Sequence, residues 1–422
     1  MGIKIAVVGG GSTYTPELVD GLAARADRVP VDEVVLLDPD AERLAVVFGL
    51  AGRILRRRGF AGRLVATGDR AAALDGADYV VVQLRVGGQS ARLHDEMIPA
   101  RFGCVGQETT GPGGFAKALR TVPVVLEIAE EAARRAAPGA WIVDFTNPVG
   151  IVTQALLDAG HRAIGLCNVA IGFQRRFAAH FGVAPERVQL EHVGLNHLTW
   201  VRAVRVDGVD RLPELLERDA AGIAADVELP LDLMRHLEAI PSYYLRYYYA
   251  GPQVVAEQRD LPTRAEEVME IERGLLELYR DPTLDVKPAL LEQRGGAFYS
   301  EAAVQLIASL HDDAGDVQVV DVLNRGAVPG LPHDTVVEVP ARIHRDGAHP
   351  VTLLPLAPEM RGLVQQVKAY EELTIEAALT GDRSVAFRAL LANPLVPDAE
   401  TAGALLAAIL DADRAHLPRF AT

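Results

Sequence analysis

At 422 residues, with 49% hydrophobic and 23% charged positions, the chain has the makeup of a globular protein large enough for two interlocking domains, which excludes disorder. A formal charge of −15 argues against a nucleic-acid partner, because phosphate backbones select basic surfaces, and leaves open a small anion held by a few local arginines. Two cysteines, Cys104 and Cys167, are too few for a disulfide framework in a chain of this length.

The first apolar run, Ile3-Lys4-Ile5-Ala6-Val7-Val8, reads as a buried strand and leads into the glycine turn Gly9-Gly10-Gly11-Ser12. It has no cationic leader and is too short for a signal-peptide core or a membrane span, and no later segment is long enough. A soluble cytoplasmic protein with no membrane partner is expected. Further strands are predicted at 34–38, 79–84, 141–145 and 163–167, with helices at 16–25, 40–57, 115–136 and 150–159. This alternation implies an α/β fold with a Rossmann-type, doubly wound parallel sheet. After Cys167 the pattern changes to a helix at 173–181, strands within 188–206 and then long helical stretches. We therefore expect a nucleotide-binding domain over 1–172 and an α+β substrate and metal domain over 173–422. No linker separates them, so ligands are expected at their interface, on the plan of lactate and malate dehydrogenases.

Gly9 and Gly11 sit between a strand and a helix, where glycine allows a tight turn and close approach of a pyrophosphate to the helix N-terminus. Ser12 and Thr13 continue the turn. Asp38 closes the second strand, from which a carboxylate accepts hydrogen bonds from an adenosine ribose and favours NAD over NADP. Arg43, in the helix that follows, is counted with these nucleotide-side residues. Tyr14 stands where a third glycine would be, so a purely structural turn is the other reading of these glycines alone.

Polar clusters then recur where such a sheet places its carboxyl-end loops. They are Arg85-Val86-Gly87-Gly88, then Arg92, Asp95 and Glu96, then Gly106-Gln107-Glu108-Thr109-Thr110-Gly111-Pro112-Gly113-Gly114, then Thr146-Asn147-Pro148. Gly165-Leu166-Cys167-Asn168-Val169 and Gly194-Leu195-Asn196-His197 follow, and later Pro241-Ser242-Tyr243-Tyr244-Leu245-Arg246-Tyr247-Tyr248, Thr263-Arg264-Ala265-Glu266-Glu267, Val337-Glu338-Val339-Pro340 and Tyr370-Glu371. In this order, over nearly the whole chain, they resemble glycoside hydrolase family 4, an NAD-dependent exception to two-carboxylate glycoside hydrolysis.

The resemblance implies that Cys167 and His197 bind a divalent metal, Mn²⁺ being the family's usual ion. A thiolate and a neutral imidazole suit a first-row divalent ion, although a Cys and a His so far apart are by themselves more often a buried thiol and an ordinary polar side chain. Tyr244 matches the family's base, with Tyr243 as the off-by-one alternative. A tyrosine needs a nearby cation to act as a base at neutral pH. Arg92, Arg264 and Ser12 match groups that hold a sugar 6-phosphate, a task suited to guanidinium forks. Asn147 matches a contact to sugar hydroxyls. Asn168 falls at a substrate and catalytic position where Asn points to β-linkage, while Ala170 departs from the Pro usual in the β-acting subgroup.

The implied reaction is hydrolysis of a 6-phospho-β-glucoside by oxidation at carbon-3, loss of the carbon-2 proton, elimination of the aglycone, addition of water and return of the hydride. The resemblance supplies no general acid; Asp95 is one candidate. The partner expected is a small phosphorylated disaccharide or glycoside, and the assembly a homodimer or homotetramer. Three alternatives stand beside this reading: an α-acting or other member of the family, an NAD-dependent 2-hydroxy acid dehydrogenase, and a non-catalytic NAD-sensing protein.

Overall fold

The computed structural model describes residues 2–295 and 298–421. Among them, thirteen strands form one sheet. In chain order these are β1 (Ile3–Val8), β2 (Val31–Leu37), β3 (Arg63–Thr67), β4 (Tyr79–Val82), β5 (Trp141–Asp144), β6 (Ala163–Gly165), β7 (Val188–Leu195), β8 (Leu198–Val206), β9 (Val209–Asp210), β10 (Ile240–Pro241), β11 (Val317–Leu323), β12 (Val336–His344) and β13 (Gly347–Pro350). The first six are parallel and lie side by side as β3-β2-β1-β4-β5-β6. This is the strand order of dinucleotide-binding sheets, and its direction reverses between β1 and β4, where such sheets open a ligand crevice beyond the strand ends.

The strands form because they are short apolar runs buried on both faces, as parallel strands covered by helices must be: Val34 to Leu37 and Tyr79 to Val82 are all buried. All five parallel strands expected from sequence are present. The second begins earlier than expected, at Val31, because Asp32 and Glu33 interrupt its apolar signal, and β3 goes unrecognised because Arg63 and Ala66 are exposed. The helices Ala41–Arg57 and Gly111–Arg135 also match expectation. The first is capped by the Asp40 side chain, which accepts the Arg43 N–H at 3.0 Å. The second starts earlier than expected because Gly111-Pro112-Gly113-Gly114 belongs to its first turn. A Cβ on Gly113 would lie 2.2 Å from the Gln107 carbonyl oxygen, so glycine is required there by packing and does not break the helix.

Arg92, Asp95 and Glu96, expected in a loop, lie on the helix Gly88–Arg101. The boundary expected after residue 172 falls inside the helix Asn168–Phe181. The sheet continues across it: β11 pairs antiparallel with β6 and β12 antiparallel with β11, and β7 and β8 extend the edge. One buried core runs from Ile3 to Phe420 through both halves. Among the described residues no helix is long and apolar enough to cross a membrane.

Candidate active site

Beyond the carboxyl ends of β1 and β4 the two halves enclose a cleft of about 1240 Å³. That exceeds the usual space of a single small ligand, roughly 300–1,000 Å³. Gly9, Ser12, Asp38, Arg43, Arg92, Asn147, Asn168, Tyr244 and Arg264 all line it, so most of the residues singled out from sequence share one cavity.

At one end lies the glycine turn. Gly9 has φ +86°, and a Cβ there would sit 2.8 Å from the Gln83 carbonyl oxygen. A Cβ on Gly11 would lie 2.8 Å from Asp38 Oδ2, the atom to which the Gly11 N–H donates at 2.9 Å. Glycine is therefore required at both positions by close packing against Gln83 and Asp38, and the Asp38 carboxylate, which also accepts the Asp40 N–H at 3.0 Å, is fixed at the end of β2. This cradle fits a dinucleotide.

Tyr14 replaces the third glycine because its ring leaves the strand–helix contact. It joins a second small core with Val47, Leu50 and Ile54, and with Leu275 and Tyr279 of the helix Arg264–Arg280. Thr13, expected to touch the nucleotide, instead anchors the turn from beneath. Its hydroxyl donates to Glu272 Oε1 at 3.2 Å and its carbonyl accepts from the Tyr279 hydroxyl at 2.6 Å. Arg43 binds the Gly11 carbonyl at 2.7 Å and Glu272 Oε2 at 3.0 Å. Ser12 Oγ accepts the Tyr14 N–H at 3.2 Å.

At the other end, Cys167 leaves β6 in extended conformation (φ −121°, ψ 150°) and caps the helix that Asn168 opens. Burial pushes its thiol well above the usual range and Glu338 adds to this; the Val169 N–H works against both. His197 occupies the two-residue turn between β7 and β8 with Asn196, at φ +61°. Glu338, on β12, holds that turn: one oxygen accepts Asn196 Nδ2 at 3.0 Å and the other lies 2.7 Å from His192 Nε2. The His197 ring stacks on Tyr244 with centroids 3.6 Å apart and planes at 10°. Burial, and then the Lys117 charge, push its pKa down to about 3, so it is a neutral imidazole.

His197 Nε2 and Asn147 Oδ1 are buried with no hydrogen-bond partner among the described residues. Orphaned buried atoms of this kind cost free energy unless a ligand completes them. A neutral imidazole lone pair and a thiol that only a cation would ionise fit a divalent metal. Among the described residues no three Cys, His, Asp or Glu side chains converge on one point, so Cys167 and His197 would hold an ion as a pair.

Tyr243 is set apart from Tyr244 by its hydroxyl, which accepts from Arg246 at 2.8 Å. Tyr244 has its pKa raised by burial first and then by Cys167 and Glu108, with Arg92 opposing them. Arg92 reaches Glu96 at 2.8 Å and Glu108 at 3.3 Å. Arg264 stands at the cleft mouth, about half exposed, donating to Glu267 and to the Gln293 carbonyl, each at 2.8 Å. Asp95 does not reach the cleft. It makes a buried two-pronged ion pair with Arg120, at 2.9 and 2.7 Å, which removes it as a candidate acid.

Several residues of the site were not singled out from sequence for it. Lys117 donates to Glu108 at 2.7 Å and has its pKa lowered to about 7 by burial and then Arg85. Glu108, despite burial, is held well below the usual carboxylate range by Arg85, Arg92 and Lys117. Tyr299 stacks on Phe145 at 5.9 Å and its hydroxyl engages Asn147 and Cys167. A lysine inside a helix and a lone tyrosine carry no spacing signal; Glu108 alone lay in a recognised run.

Comparison with known proteins agrees with this geometry. The chain is 42% identical to a probable 6-phospho-beta-glucosidase of Bacillus subtilis, over 99% of this chain and 98% of the other. It is 36% identical to a 6-phospho-beta-glucosidase of Escherichia coli, over 99% and 97%. The structure of the 6-phospho-beta-glucosidase from Thermotoga maritima with manganese, NAD⁺ and glucose-6-phosphate superposes with a TM-score of 0.92 at 37% identity, covering 98% of this chain and 99% of that one. A Cryptosporidium parvum malate dehydrogenase, 14% identical with a TM-score of 0.58 over 90% of this chain and 99% of that one, shares the fold alone. Residues 4–183 match the family 4 glycosyl hydrolases and residues 192–396 match that family's C-terminal domain. The chain is a glycosidase and belongs to glycosyl hydrolase family 4.

Proposed function

We propose that the protein hydrolyses 6-phospho-β-glucosides to glucose 6-phosphate and the free aglycone in a redox-neutral sequence, with NAD and a divalent ion, Mn²⁺, in the cleft. When bound, these two supply a hydride acceptor for carbon-3 of the sugar and Lewis acidity toward its oxygens. The observation that carries the reading is that Tyr244, which lines the same cleft as Gly9 and Asp38, stacks on His197, whose Nε2 is buried without a hydrogen-bond partner among the described residues.

The roles divide between the two ends of the cleft, and residues of both 1–172 and 173–422 serve the chemical end. The turn at Gly9 and Gly11 receives the pyrophosphate, Asp38 accepts from the ribose and Arg43 flanks it. Cys167 and His197 Nε2 hold the ion. Asn147 and Asn168 bond sugar hydroxyls, and Arg92, Arg264 and Ser12 hold the 6-phosphate, which fixes the sugar against the reacting groups. Tyr244 takes the carbon-2 proton, made acidic once carbon-3 is a ketone. In the protein alone this phenol stays protonated at neutral pH; positive charge at Arg92, and at a cation bound by the ring on which it stacks, favours phenolate. Asn168, together with the β-acting names of the relatives, supports β-linkage. A homodimer or homotetramer in the cytoplasm completes the proposal.

The test is release of p-nitrophenol from p-nitrophenyl β-glucoside 6-phosphate, assayed with and without NAD⁺ and Mn²⁺, beside the α-anomer and the unphosphorylated sugars. Turnover of the β-phosphate that requires both additions is expected. Equal turnover of the unphosphorylated glucoside, or activity indifferent to NAD⁺, would overturn the reading.

A further inference from the structure

The turn that carries Gln107 and Thr109 meets His197 from behind, and its donors and acceptors can be counted. Gln107 Oε1 accepts the backbone N–H of Thr109 and, at 2.8 Å, that of Thr110. Two amide hydrogens aimed at one atom mark it as the carbonyl oxygen of the side chain and not its nitrogen. Thr109 Oγ1 lies 2.9 Å from this same oxygen. That oxygen has no hydrogen to give, so in this third contact the Thr109 hydroxyl is the donor. Thr109 Oγ1 also lies 3.0 Å from His197 Nδ1. With its hydrogen committed to Gln107, the hydroxyl can only accept, so Nδ1 carries the hydrogen. An imidazole that carries its one hydrogen on Nδ1 has its lone pair on Nε2, the nitrogen that is buried without a partner among the described residues. In the opposite tautomer the hydroxyl would turn to Nδ1 and two oxygen lone pairs would face each other at 2.9 Å.

We propose that Gln107 and Thr109 are positioning residues that lock His197 in its Nδ1–H tautomer, so that Nε2 is presented as a ready metal ligand before any ion arrives. The proposal rests on the metal-binding reading of His197 given above. It gives Gln107 and Thr109 a task in a run whose charged member, Glu108, is occupied by Arg85, Arg92 and Lys117. A ligand held in the correct tautomer needs no proton shift on binding, and the partner behind the ring raises its basicity.

The test uses the whole protein, stripped of metal with a chelator and labelled with ¹⁵N in its histidines. The His197 ring signals are identified by their loss in His197→Asn. In the parent, Nε2 is expected at the chemical shift of an unprotonated nitrogen and Nδ1 at that of a protonated one. Thr109→Val removes the acceptor. Gln107→Met frees the Thr109 hydroxyl to donate to Nδ1, which moves the ring toward the Nε2–H form. Both variants are expected to bind Mn²⁺, measured by electron paramagnetic resonance of the free ion, ~10–100-fold more weakly while binding NAD as the parent does. Thr109→Ser keeps the hydroxyl and is expected to keep both the tautomer and the affinity. A protonated Nε2 in the metal-free parent would overturn the proposal. So would folded Thr109→Val and Gln107→Met proteins that retain the parent's ring signals and Mn²⁺ affinity. If His197→Asn itself binds Mn²⁺ as the parent does, the metal reading fails, whereas the nitrogen shifts still decide the tautomer.

Discussion

The two ends of the cleft are finished to different degrees. At the nucleotide end the polar groups that shape the turn have protein partners: Asp38 takes two backbone N–H groups, Arg43 two acceptors, and Glu272 receives Thr13, Arg43 and Arg294. At the chemical end His197 Nε2 and Asn147 Oδ1 are buried without partners, and the Cys167 thiol sits where burial and Glu338 both oppose its ionisation. Folding alone completes the first end, while the second carries unmet electrostatic demand that ligands complete. Sites of chemistry are where a fold departs from its own rules of satisfaction, and the cost is carried by the packing elsewhere.

That contrast can be broken by experiment. If the chemical end does the chemistry, Tyr244→Phe, which keeps the ring against His197, is expected to lower kcat by about 10²–10⁴-fold with little change in thermal stability. Substrate turnover and a melting curve on one sample check both halves of the claim. His197→Ala is expected to cost on the order of 10²–10³-fold in turnover, as lost electrostatic stabilisation does, and to weaken Mn²⁺ binding while NAD binding is kept; loss of NAD binding instead would merge the two ends. At the mouth, Arg264→Met removes charge-assisted bonds worth about 1.5–3 kcal/mol, so kcat/KM on the phosphorylated glucoside should fall roughly 10–100-fold, with the unphosphorylated sugar unaffected.

The smallest effect belongs to the satisfied end and reads stability. Burial pushes the Glu272 carboxyl up, but Arg294 and Arg43 prevail and hold it below the usual range. A folded-state pKa depressed below the unfolded value of about 4.3 contributes stability above that pH, lost as pH falls through the folded value. Glu272→Gln should therefore be destabilised by roughly 1 kcal/mol at neutral pH. Urea midpoints of parent and variant should converge below about pH 4. A gap that persists there would mean that the carboxylate charge is not what anchors the turn.

The same contrast explains what was legible in the amino-acid order. Gly9, Gly11 and Asp38 follow from contiguous runs, because a strand, a glycine turn and a strand-end acid are local features. Cys167, His197 and Tyr244 are each ordinary in isolation, and only their resemblance to a known family joined them; the hairpin turn of β7 and β8 sets His197 against Tyr244, which lines the cleft, and Asn168, next to Cys167, lines it too. Thr13 read as a nucleotide contact because sequence places it in the turn, but side-chain direction depends on Glu272, which is distant in the chain. Asp95 and Arg120 form a buried pair across two helices whose packing no periodicity announces. Tyr14 in place of a glycine became intelligible only once the second small core was visible.

The central claim is that the glycosidic bond is broken by elimination and not by direct displacement, and hydrogen at carbon-2 of the sugar reports on it most directly. Turnover of the β-glucoside 6-phosphate in D₂O by the NAD⁺- and Mn²⁺-loaded protein should give glucose 6-phosphate carrying deuterium at carbon-2, because the proton that Tyr244 removes exchanges with solvent. NAD⁺ should be needed only in catalytic amount, with no net NADH. Product from an active sample that holds only protium at carbon-2 would contradict the account, since displacement through an oxocarbenium ion leaves that carbon untouched.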